Sequence, residues 1–336
     1  MGPYRVVARP LLFALEPESA HRLALSLLAL PMPWEWIGGV DPDPRLRVTL
    51  AGIPLANPVG LAAGFDKTCE HLGALGRIGF GYVVGGTITR QPRQGNPKPR
   101  IVRYTAKRSM VNAMGLPNPG ADEAARILAS SKRTAPRFAS IADEAVADAV
   151  AAHALLEPYV DAIELNASCP NVSWGRDRDN EAHLAELLRE LGARRARPLF
   201  VKLPPFRTDV ERDVVVALAR IAQEGGADGL TCSNTRPVTD GRLSTGGGGL
   251  SGRAMSAETL RVVREVREAI DGSLPINACG GVFTAEDARS CIEAGATTVQ
   301  VYTGLIFEGP RIVREITAGL ATVPLGGTGQ GRRAAG

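Results

Sequence analysis

From residue 57 onward the chain alternates short apolar runs with longer stretches of helical character, and eight such runs can be counted: residues 57–63, 82–89, 137–142, 162–168, 198–204, 229–234, 275–281 and 298–304. Parallel strands need a crossover to return to the same sheet edge, and helices supply it, so this alternation predicts a parallel sheet wrapped by helices. Eight strands predict closure into an α/β fold, the (β/α)8 TIM barrel. Thr208 before Asp209 is placed to cap a helix ending near Gly225, and Ser256 to cap one beginning at Ala257. At 336 residues the chain exceeds the ~250 of a plain barrel. The expected organisation is a helical extension over 1–45, a barrel over 46–322 and a Gly-rich, disordered tail over 323–336.

Composition removes several classes of function. A hydrophobic fraction of 44% with 22% charged residues supports a large core rather than disorder. The net charge of +4 is small and the arginines are scattered, so nucleic acid is not an expected partner. The five cysteines, Cys69, Cys169, Cys232, Cys279 and Cys291, show no Cys-x-x-Cys spacing. Neither a disulfide framework nor a metal site is expected, and a reducing cytoplasmic compartment is. No apolar run reaches the ~20 residues that span a bilayer.

The extension reads as two helices, one over Val6 to Leu15 and one opened by Pro17, with Ala20, Leu23, Ala24, Leu27 and Leu28 on a stripe that excludes His21, Arg22 and Ser26. Trp34 and Trp36 follow. Two readings are open: a helical cap over the barrel floor, or an amphipathic surface lying in a membrane interface.

In a barrel the chemistry sits at the C-terminal ends of the strands. Here those ends offer Lys67, Thr87, Ser140, Asn166 with Cys169, Lys202, Asn234, Gly280-Gly281 and Tyr302-Thr303-Gly304. A lysine after a strand is commonly solvated, an asparagine commonly a turn residue and a free cysteine commonly packing. Their recurrence at one end carries the functional reading. The intervals 90–120 and 235–255 are too long for plain connections and are expected to help build the site. Glycines after the last two strands suit a phosphate, and Lys202 inside the ring needs an anionic or electron-rich partner such as a reduced flavin. Asn112, Asn166, Asn171 and Asn234 each offer an acceptor and two donors, matching a ring of alternating C=O and N–H. Cys169, stiffened by Pro170, is a candidate base, because a thiol of pKa ~8.5 accepts a carbon-bound proton more readily than an unassisted hydroxyl.

The stretches LEPESAHRLA (15–24), NPVGLAAGFDK (57–67), GTITRQPRQGNPKPRIVR (86–103), VNAMGLPNPG (111–120), NASCPN (166–171), GGLSGR (248–253) and VYTGLIFEGP (301–310) resemble dihydroorotate dehydrogenase, the FMN enzyme that makes orotate in pyrimidine synthesis. The resemblance covers about residues 4 to 320. It implies that Ala63, Gly64, Thr87, Ser140, Asn166, Lys202, Ser233, Gly252, Gly280, Gly281, Tyr302 and Thr303 hold FMN. It implies that Lys67, Asn112, Met114, Gly115, Leu116, Asn166, Asn171, Asn234 and Thr235 hold the substrate, with Lys67 on its carboxylate. Cys169 would take a proton from C5 while hydride leaves C6 for flavin N5.

The electron acceptor is less uniform in its signals. Pro17, Glu18, Ala20 and His21 resemble the membrane-associated class, whose first helices form a quinone tunnel with His21, Arg103 and Tyr302 at its polar end. That class implies a peripheral enzyme on the inner face of the cell membrane. Cys169, however, stands where the membrane class carries Ser, Ser140 where it carries Asn, and Met114 to Asn118 follow the soluble style. Trp174-Gly175-Arg176 fits neither. A quinone-coupled enzyme is the leading expectation. The alternatives are a soluble-type enzyme using fumarate, an FMN barrel acting on another dihydropyrimidine or lactam, and, remotely, a non-redox phosphate-binding barrel or regulatory protein.

Overall fold

Residues 2–167 and 180–322 are described by a computed structural model. The eight apolar runs are eight strands: β1 (Val59–Asp66), β2 (Tyr82–Ile88), β3 (Arg137–Ile141), β4 (Ala162–Asn166), β5 (Leu199–Leu203), β6 (Gly229–Cys232), β7 (Ile276–Cys279) and β8 (Thr298–Val301). Each pairs in parallel with the next, and β8 returns to β1, closing the barrel. The strands are apolar along their length because both faces are covered; every residue of β2 is buried. Thr208 caps the helix Asp209–Glu224 through a reciprocal box with Glu211, as its sequence position predicts. Ser256 does not act as a cap. The turn Arg253–Met255 already enters the helical conformation, so Ser256 is the first residue of the helix Ser256–Ala269 and its hydroxyl donates to Gly281 O at 2.8 Å.

The floor of the barrel is closed by a hairpin, Val48–Leu50 with Ile53–Leu55. Its Leu50 and Leu55 cluster with Tyr82, Val84, Phe138, Ala162 and Phe200 near the strand starts. The Phe138 ring lies 4.9 Å from that of Tyr82 and 5.5 Å from that of Phe200. This overturns the reading of the first helices as a floor cap. The helices α1 (Arg9–Ala14) and α2 (Pro17–Leu28) sit at the opposite end. Tyr4 donates to Ile306 O at 2.7 Å and Arg9 to Phe307 O at 3.1 Å, both just beyond β8. Val6, Val7, Leu11, Leu23, Leu27 and Trp36 are exposed. Among the described residues no helix is long and apolar enough to cross a membrane.

The two long intervals meet each other. Strands Ile101–Tyr104, Ser109–Asn112, Gly247–Gly252 and Arg236–Thr239 form one antiparallel sheet over the C-terminal rim. Gly249 opposes Asn112 there, and a Cβ at Gly249 would fall 2.0 Å from Thr235 Oγ1, so the close approach requires glycine.

Candidate active site

Between the strand ends and the rim sheet lies a cavity of about 590 Å³, within the range of small-molecule sites. Every described residue assigned to substrate lines it: Lys67, Asn112, Met114, Gly115, Leu116, Asn166, Asn234 and Thr235. So do Ala63, Gly64, Thr87, Lys202, Ser233, Gly252, Gly280, Gly281, Tyr302 and Thr303. Ser140 stands one layer behind, fully buried, with its hydroxyl 3.1 Å from that of Thr87. Cys169, Asn171 and Trp174 lie outside the described residues.

The polar lining is held by bonds from strand to strand. Asn166 donates from Nδ2 to Thr87 Oγ1 at 3.3 Å and accepts at Oδ1 from Asn234 Nδ2 at 3.2 Å. Asn112, on the rim sheet, donates to Gly249 O at 3.3 Å. Lys67 donates to Gly64 O at 2.6 Å, and burial lowers its pKa to about 8 against the opposing charge of Asp66. A charge so poorly solvated favours a carboxylate partner.

Lys202 finds its anionic partner inside the chain. Its Nζ lies 3.6 Å from Oε1 of Glu164, a fully buried carboxylate that the sequence reading missed. Burial pulls the ammonium down, but the charge of Glu164 more than offsets it, and the net shift is upward. The missed signal was a charge in the middle of an apolar run, two residues before Asn166 and therefore on the same inward face. Gln300, in the middle of β8, was missed for the same reason; it lines the cavity with Oε1 buried and unbonded. Ala113, Ser251 and Cys279 also line the wall.

The first helices approach this cavity from the side. The His21 ring meets Phe65 edge-on at 5.1 Å, and Phe65 meets Tyr302 at 5.7 Å. Burial, with help from the charge of Lys67, lowers His21 to about 4. Arg103 is engaged elsewhere, over the Phe13 ring at 4.7 Å and donating to Phe13 O at 3.1 Å. Of the three residues expected at a quinone site, the structure therefore links His21 to Tyr302 and ties Arg103 to α1.

A family profile described as dihydroorotate dehydrogenase matches residues 45–323. The chain belongs to the dihydroorotate dehydrogenase family. It is 39% identical to the dihydroorotate dehydrogenase (quinone) of Gloeobacter violaceus, over 96% of this chain and 95% of that protein. It is likewise 39% identical to a quinone enzyme of Thermus thermophilus, over 92% and 94%. Among solved structures, the dihydroorotate dehydrogenase of Eimeria tenella in complex with ferulenol superposes with a TM-score of 0.80 at 30% identity, covering 93% of this chain and 94% of that one. The barrel with helices before it is thus the architecture of this family.

Proposed function

We infer that the chain is a quinone-dependent dihydroorotate dehydrogenase of pyrimidine biosynthesis, oxidising (S)-dihydroorotate to orotate. The observation that carries this is the rim cavity in which the substrate-type set, Lys67 with Asn112, Asn166 and Asn234, adjoins the cofactor-type set around Lys202. The likeness to quinone enzymes over nearly the whole chain supports the acceptor. The lining also fits FMN in its chemistry. The unbonded Gln300 Oε1 and the charged Lys202 offer an acceptor and a donor to a heteroaromatic edge. Gly280 and Gly281 hold positive φ of 136° and 73° at the end of β7, where a Cβ on Gly281 would fall 2.4 Å from Ser256 Oγ. That suits a backbone shaped for a phosphate. When bound, FMN supplies the two-electron acceptor.

In this reading Lys67 pairs with the substrate carboxylate, and Asn112, Asn166, Asn234 and Asn171 meet the ring's alternating donors and acceptors. The rim sheet lies over these contacts at the strand ends. Cys169 takes the proton from C5. His21 and Tyr302, joined through Phe65, flank the quinone, and the exposed apolar face of residues 1–45 rests on the membrane that holds it. The test is an anaerobic titration of the purified flavoprotein with dihydroorotate. The flavin absorbance should bleach, and a ubiquinone or menaquinone analogue should restore it where fumarate does not. Restoration by fumarate alone would overturn the quinone assignment, and no bleaching would overturn the substrate. Cys169→Ala should retain FMN and lose the bleaching.

A further inference from the structure

The barrel interior carries a line of hydrogen bonds with one direction. Tyr82 OH lies 2.9 Å from Thr298 Oγ1, and the Thr298 hydroxyl donates to Asn277 Oδ1 at 2.7 Å, so it must accept from Tyr82. Asn277 Nδ2 donates to Thr231 Oγ1 at 3.3 Å, and the Thr231 hydroxyl donates to Glu164 Oε2 at 2.9 Å. Gln300 Nε2 approaches the same oxygen at 3.5 Å. Tyr82, Glu164, Thr231, Asn277 and Thr298 are all fully buried. Each donor in this line points toward Glu164, an arrangement that suits a carboxylate accepting at Oε2. Among the described residues its other oxygen, Oε1, accepts no hydrogen bond, and it lies 3.6 Å from the Lys202 ammonium.

We propose that Glu164 is a positioning residue for the redox cofactor, a fixed anion in the barrel that holds Lys202 charged at the cavity floor and so sets how strongly the protein favours the reduced over the oxidised cofactor. The proposal rests on the reading of Lys202 as an FMN contact. A lone buried ammonium would shed its proton or stabilise electron-rich reduced flavin without restraint. The anion behind it prevents the first and moderates the second. Among the described residues Cys279 of β7 is the other titratable group facing Lys202; burial raises its thiol, which leaves Glu164 as the resident negative charge.

The test uses FMN-loaded protein and reads the midpoint potential from pH 6 to 10. Glu164→Gln should favour the reduced cofactor about tenfold more at the acid end, about 30 mV more positive for a two-electron couple. The gain should vanish through a new break as Lys202 loses its proton. Glu164→Asp should restore the wild-type profile, and a Glu164→Gln, Lys202→Met double variant should lack the break. Thr231→Val, which removes one donor that screens the carboxylate and leaves the charge, should shift the potential in the opposite sense by less, and it carries the test if Glu164→Gln does not fold. If Lys202→Met changes FMN affinity and potential while Glu164→Gln and Thr231→Val match the wild type, the role of Glu164 is overturned and the cofactor reading stands. If Lys202→Met changes neither, both are overturned.

Discussion

Lys67 and His21 are close enough for the charge of one to depress the other, yet they titrate on opposite sides of neutrality. Lys67, lowered to about 8, is charged below that pH and neutral above it. A carboxylate substrate prefers the charged form, so kcat/KM, which reports the free enzyme, should fall about tenfold per pH unit above pH 8. Lys67→Arg should straighten that limb, and an unchanged limb in the variant would assign it to another group. His21 has a folded pKa of about 4 against an unfolded value near ~6.5. Between those values the unfolded chain binds a proton that the folded chain does not, so stability should decline as pH falls from ~6.5 to about 4. Thermal melts at pH 7 and pH 5 should differ less in His21→Asn than in the wild type.

At the scale of elements, α2 is fastened to the loop that shapes the substrate end of the cavity. Arg100 donates from Nε and Nη2 to the two carboxylate oxygens of the buried Glu18 at 2.9 and 3.1 Å, and from Nη1 to Asn96 O at 3.0 Å. Asn96 in turn donates to Ala113 O and Met114 O, both at 2.9 Å. Arg100→Ala leaves Glu18 with Lys98, 3.5 Å away and more exposed. The variant should lose about 3 kcal/mol, the lower part of the range for a broken buried pair, and raise KM for dihydroorotate more than it lowers kcat. Denaturant melts with steady-state kinetics would check both; an unchanged KM would mean that the loop stands without α2. Such links were illegible in the sequence because they join residues far apart in the chain. The barrel strands were legible because burial on both faces writes an unbroken apolar run. The strand Gly247–Gly252 was not, since a run of glycines reads as a turn and becomes a strand only beside Ser109–Asn112. Glu164 escaped for a related reason: the partners that make it tolerable, Thr231 and Gln300, come from β6 and β8.

Over the whole molecule, stability and chemistry are divided between the two ends of the barrel. Phe138→Ala, which would hollow out the stacked floor, should cost about 3–5 kcal/mol by chemical denaturation while leaving FMN affinity within a factor of two. A large loss of FMN would show that the ends are coupled. The rim sheet has a further consequence, for the order of assembly. Its central pairing, Ser109–Asn112 with Gly247–Gly252, joins segments separated in sequence by four barrel strands, β3 to β6. Such contacts have to wait until the intervening chain has been brought to length, because loop-closure entropy is spent before they yield anything. A ribosome-bound chain that has not yet emerged past Gly252 possesses an open barrel and no cavity. The pocket is therefore among the last features to form, and cofactor capture belongs to the end of folding rather than to its nucleus.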